Sequence, residues 1–123
     1  MKLKILDGFY SVCKLSFNSP VPIWASEGKF YSITKTDEEL SIVCESLYIP
    51  EGVEKEDNWK IIEIVGPLDF SQIGIIHKIS SVFKDVGMSI FVISTFNTDY
   101  LMFKANFEKI IVEVLKKNKY EFV

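Results

Sequence analysis

The chain has 123 residues, 48% hydrophobic and 14% aromatic, with a net charge of −3. That content supplies a buried core and excludes a disordered chain. Every cation is lysine, so the bidentate arginine fork that reads guanine edges and phosphates is missing, and no basic footprint for nucleic acid exists. Lys2 and Lys4 flank Leu3, and Asp7-Gly8 interrupts the start of the chain, so the N-terminus lacks the apolar run of a signal peptide. No stretch is apolar over a membrane-spanning length, and a cytoplasmic protein is expected. Cys13 and Cys44 are far apart in sequence among apolar neighbours and read as reduced core thiols.

In the first half, Tyr10 to Leu15 alternates loosely as a strand after the Asp7-Gly8 turn, and Ser19-Pro20-Val21-Pro22 ends it. Ile23-Trp24-Ala25 has room for only a short helical turn before Gly28. Phe30 to Thr34 is a second strand. Thr36-Asp37-Glu38-Glu39 has the spacing of a capping box, so one turn of helix is expected there. Leu40 to Cys44 is a third strand. Pro50 to Asn58 is polar and acidic, and the boundary between two modules, 1–57 and 58–123, falls in it.

The second half punctuates itself more sharply. Trp59 to Val65 is a strand stopped by Gly66-Pro67. Asp69 is placed to cap a helix, with Gln72 three residues on. Ile76, Ile79, Phe83 and Val86 then recur at helical spacing until Gly87. Met88 to Thr95 is an apolar run of the kind buried on both faces. Phe96 to Asp99 is a turn, and Tyr100 to Phe103 is its hairpin partner. Asn106 is the expected cap of a last helix with Phe107, Ile110, Ile111, Val114 and Leu115 on one face. Tyr120 to Val123 closes the chain as a strand. The order is β-α-β-β-α-β, ferredoxin-like, and the first half spells a reduced version with undersized helices. The fold class is therefore α+β, two tandem ferredoxin-like modules.

At Trp59, Gly66-Pro67-Leu68-Asp69-Phe70, Gly74-Ile75, Gly87 to Phe91 and Ile93 to Tyr100, the sequence resembles a family of short tandem ACT-domain proteins. Phe30 to Thr36 and Glu39 to Cys44 resemble the same family's N-terminal module. That family is similar to the CASTOR-type arginine sensors of animals. The resemblance implies a regulatory protein that binds a small molecule, an amino acid first, where ACT modules meet, with a regulated partner protein. Relatives often carry a hydroxyl residue before the glycine of the first helix, where this chain has Ile73.

An amino acid needs donors for its carboxylate and an acceptor for its ammonium. The first turn of the Asp69 helix offers unpaired N–H groups, and Gly74 permits close approach. Asp99, just beyond Ser94 and Thr95, is the candidate acceptor. One wall of the expected site is thus Ser94, Thr95, Phe96 and Asp99; the other is Asp69, Gly74 and Ile75. Structural readings stand beside these: Asp69 as a plain cap, Asp99 as a turn former, Gly74 as a packing glycine, and Ser32, Thr34 and Thr36 as outward strand hydroxyls in preference to the lining of an equivalent pocket in the N-terminal module. His77, the single histidine, falls on the polar side of its helix. No nucleophile with a base, metal-ligand set or phosphate loop is present, so neither an enzyme nor a cofactor is expected. A homodimer covering exposed sheet edges is expected. The alternative is a ligand-free protein–protein assembly module.

Overall fold

The computed structural model describes residues 1–65 and 74–123. The elements in chain order begin with Lys2–Ile5 (β1), Tyr10–Leu15 (β2), a 3₁₀ turn at Ile23–Ser26, Ser32–Lys35 (β3) and Leu40–Glu45 (β4). A second 3₁₀ turn at Ser46–Tyr48 precedes Lys55–Ile64 (β5), Ile75–Val86 (α1), Phe91–Ser94 (β6) and Asp99–Lys104 (β7). A third at Ala105–Phe107 leads into Glu108–Lys117 (α2), and Glu121–Phe122 (β8) ends the series. Among the described residues no helix is long and apolar enough to cross a membrane.

The chain divides into two compact units, an inserted unit of residues 8–59 and a helical unit of residues 1–7 and 60–123. In the inserted unit the strand order is β3-β4-β2-β5, all antiparallel, with the first half of β5 at the end. Read along the chain, that is strand, turn, strand, strand, turn, strand, the ferredoxin-like order with each helix cut to a single 3₁₀ turn. Pro22 caps the first turn and Gly28 follows it, so there is no room for a second turn of helix. Cys13, Ala25, Leu40, Ile42 and Cys44 form the buried core, flanked by Leu15, Trp24, Ile33, Ile49 and Val53.

In the helical unit, β5 pairs with β1 (Leu3 opposite Ile64, Ile5 opposite Ile62) and with β7, which pairs in turn with β6. β1 runs parallel to β8, so it occupies the place between the first and last strands of the β-α-β-β-α-β series. α1 buries Ile79, Val82 and Phe83 against Ile62, Ile64, Leu101 and Phe103. Each of those side chains contributes about 1.5–3 kcal/mol relative to exposure, more than helix propensity supplies over a 12-residue segment. Gly87 ends α1 in the left-handed region at φ +85, where a side chain is disfavoured.

Several expectations change. Residues 1–7, expected in the first module, pair within the second unit through β1. The expected linker at 50–58 is strand from Lys55 onward. Its polar side chains fill the weakly buried half of β5 and leave the backbone free to pair with β2. Phe30 to Thr34 shifts to Ser32–Lys35. The helical turn expected at Thr36 is a hairpin turn: Thr36 Oγ1 accepts the Glu38 and Glu39 N–H groups at 3.1 and 3.2 Å, and Thr36 N–H donates to the Glu39 carbonyl. Capping chemistry satisfies a β-turn there because Leu40 onward is claimed by β4.

Met88 to Thr95 is not a doubly buried strand. Only Phe91–Ser94 is strand, paired on one edge by β7, and Phe91 and Val92 are exposed. Asn106 lies in the 3₁₀ turn and caps nothing; α2 starts at Glu108, with no side-chain cap, and Ile110 faces outward.

Candidate functional site

The β6–β7 hairpin gathers four of the expected site residues into one turn. Ser94 pairs with Asp99 as the last rung of the ladder. The Ser94 hydroxyl donates to Asp99 Oδ1 at 2.5 Å. Thr95 N–H donates to the Thr98 carbonyl at 2.8 Å, and its Oγ1 lies 3.1 Å from the same carbonyl and accepts the Thr98 N–H at 3.3 Å. The turn is therefore closed by its own hydroxyls, as Ser and Thr favour. Phe96 stands at its tip, 80% exposed.

Thr98 was not singled out by the sequence, yet it is the anchor. It is buried, and its hydroxyl donates to the carbonyl of Ile64, the last residue of β5. The hairpin turn thus sits at the sheet end where the chain leaves β5 on its way to α1. A threonine inside Asn-Thr-Asp gives no sequence sign of such a reach, because its acceptor lies 34 positions away.

Asp99 is half-buried and has one oxygen engaged by Ser94. A carboxylate offers roughly four lone-pair sites, so it keeps acceptor capacity for a cation. Gly74 caps α1 at φ +86, and among the described residues a Cβ built there would meet nothing within 4 Å. The left-handed backbone is what calls for glycine there. Ile75 packs its side chain onto the core of the helical unit, which leaves its backbone as the part available to a ligand. Asp69, with the Asp69–Gln72 cap and Ile73, lies outside the described residues.

The inserted unit has its own groove of about 260 Å³ on β2, β4 and β5, lined by Val12, Lys14, Glu39, Ser41, Glu54 and Glu56 among others. Ser32, Thr34 and Thr36 are not part of it; Thr34 is exposed on β3 and Thr36 closes the hairpin turn. His77 is exposed on α1, and its carbonyl accepts the Ser81 hydroxyl at 2.8 Å.

Two family models match the chain: one described as an ACT domain over residues 54–117, and one described as an N-terminal domain over residues 8–52. No match was found among curated proteins. A crystal structure of an Agobacterium tumefaciens protein is similar at 38% identity, covering 99% of this chain and 91% of that one, with a TM-score of 0.93. The fold is also similar to aspartate kinase from Clostridium acetobutylicum, described as an allosteric enzyme. There the identity is 14% and the TM-score 0.66, over 88% of this chain and 32% of that one. The ligand-free regulatory subunit of aspartate kinase from Thermus thermophilus is similar at 9% identity and a TM-score of 0.61, over 89% and 92%.

Proposed function

This chain belongs to the ACT-domain family, and we propose that it is a cytoplasmic regulatory protein that binds an amino acid and performs no chemistry on it. The observation that carries this reading is the Asp99 carboxylate, positioned by the Ser94 hydroxyl in a turn that Thr98 ties to the end of β5. A carboxylate so placed is suited to an ammonium or guanidinium group, and charge-assisted bonds of that kind contribute about 1.5–3 kcal/mol. The backbone N–H groups in the first turn of α1 are suited to the ligand carboxylate, and Gly74 places no side chain there. Arginine, the ligand of the CASTOR-type sensors that the sequence resembles, has both groups. Asp69 is proposed to line the same site.

The test is a thermal-shift screen against the proteinogenic amino acids, in which a ligand specific for the folded state raises stability by RT ln(1 + [L]/Kd). A rise with one amino acid, lost in Asp99→Ala, is the expected result. A flat panel would sink the reading.

The second reading, a ligand-free assembly module, is favoured by a different observation. β6 pairs with β7, and Phe91, Val92 and Phe96 are exposed along and just beyond it. Pairing of β6 with a second copy would cover that edge. The homodimer is common to both readings, and sedimentation giving a monomer mass at all concentrations would remove it. A regulated partner protein belongs to the first reading, because occupancy must be reported to something.

A further inference from the structure

Two thiols that are 31 positions apart meet on one face of the inserted unit. Cys13 is opposite Ile42 and Ser11 is opposite Cys44 in the β2–β4 register, so all four side chains share a face and the cysteines are diagonal neighbours. Both are free and buried. The neighbouring Cys44 thiol holds the Cys13 thiol below its ordinary range, with the Lys55 ammonium adding to the effect and burial and Asp57 opposing it. The Cys13 thiol, followed by burial, pushes Cys44 well above that range.

What surrounds the pair is polar on one side. Lys55 is opposite Cys13 in the β2–β5 register, and its ammonium pairs with Asp57 at 2.6 Å. Asp57 Oδ1 accepts the Ser11 hydroxyl at 2.5 Å, and Ser11 and Ser46 share a bond of 2.6 Å. The Lys55 and Asp57 side chains are 27% and 43% exposed, so the thiols border a partly solvated ion pair as well as the apolar core. Thiols embedded only among hydrocarbon are inert; thiols beside a cation and a hydrogen-bond donor are not.

We propose that Cys13 and Cys44 are an oxidisable dithiol site, which a hydroperoxide converts into an intramolecular disulfide joining β2 to β4. The Cys13 sulfur attacks the O–O bond of the peroxide; an S–O bond forms, the O–O bond breaks, and the other oxygen leaves with a proton as an alcohol or water. The Cys44 sulfur then displaces the hydroxyl of the Cys13 sulfenic acid; the S–S bond forms, the S–O bond breaks, and the Cys44 proton leaves with the hydroxyl as water. Two thiols give up two electrons and the peroxide accepts them. Diagonal strand positions lie farther apart than a relaxed disulfide spans. The bridge is therefore strained, and small thiols reduce it readily.

The experiment treats the folded full chain with a small excess of hydrogen peroxide, quenches, then counts free thiols in denaturant and maps the cross-link by mass spectrometry. The expected result is joint loss of both thiols, a Cys13–Cys44 linked peptide, and full recovery with dithiothreitol. In Cys44→Ser, Cys13 is expected to stop at the sulfenic acid and be captured by dimedone. Retention of both thiols in the folded wild type, reaction only after unfolding, or a cross-link between two chains would each overturn the proposal. The wild-type measurement decides even if the variant does not fold.

Discussion

The inserted unit and the helical unit solve the same topological problem with different means. Both run strand, crossover, hairpin, crossover, strand, yet one crosses over on 3₁₀ turns and the other on α1 and α2. The inserted unit closes its core with small groups, Cys13, Ala25 and Cys44, around Leu40 and Ile42. The helical unit fills its core with Phe83, Phe103 and a ring of isoleucines and leucines. A ferredoxin-like strand order therefore does not require helices of standard length. It requires only enough apolar volume above the sheet to keep the backbone pairing dry.

The comparison breaks hardest at Phe83. Phe83→Ala removes a fully buried ring in contact with Phe103 and should cost about 3–5 kcal/mol. Chemical denaturation followed by circular dichroism measures it. Trp24 and Trp59 both lie in the inserted unit, so tryptophan fluorescence follows that unit. Because β5 contributes strand pairing to both units, the fluorescence midpoint should move with the dichroism midpoint. Separate midpoints would mean that the units unfold independently.

Ala25→Leu probes the other style of core. Ala25 is fully buried in the 3₁₀ turn over Cys13 and Leu40, and overpacking there should cost about 1–3 kcal/mol. No change in the denaturation midpoint would show that the thin cover of the inserted unit yields. Gly87→Ala should cost about 1 kcal/mol. Among the described residues a Cβ there meets nothing within 4 Å, so the cost expected is that of the left-handed backbone. Thermal melting checks it.

The smallest effect expected is alkaline. Burial raises the Tyr100 and Tyr120 hydroxyls above the ordinary value of 10.0, with Glu63 adding to the shift at Tyr100. The folded state then holds phenolic protons that the unfolded state gives up. Their stabilisation is complete below pH 10 and is lost as pH rises through the folded values. Tyr120→Phe should flatten part of the decline in stability above pH 10, as read from melting temperature against pH. An unchanged slope would remove Tyr120 as a contributor.

Much of the helical unit was legible because its periodicity is local: Ile76, Ile79 and Phe83 mark α1 without reference to anything else. Lys2–Ile5 went unread as β1 because four alternating residues carry little signal and their partners lie near positions 62–64 and 121–122. Lys55–Asn58 looked like linker because its side chains are polar, although strand pairing uses the backbone. Met88 to Thr95 misled in the opposite direction, since apolar residues at a sheet edge look like those in its centre. At the site, Ser94, Thr95 and Asp99 could be grouped because they are sequence neighbours in one turn. Thr98 and the Cys13–Cys44 meeting depend on register, which no single segment encodes.

The position of β1 has a consequence for how the chain is made. The strand leaves the ribosome before its antiparallel partner in β5, which follows about 60 residues later, several seconds at roughly 5–20 residues per second. Its parallel partner, β8, comes from the last few residues of the sequence. The strands of the inserted unit are all translated before the second half of β5, so that unit has its pairing partners while Lys2–Ile5 still waits. Lys2 and Lys4 alternate with Leu3 and Ile5 through that interval, and charges at such spacing keep a waiting strand from pairing with its neighbours on a polysome.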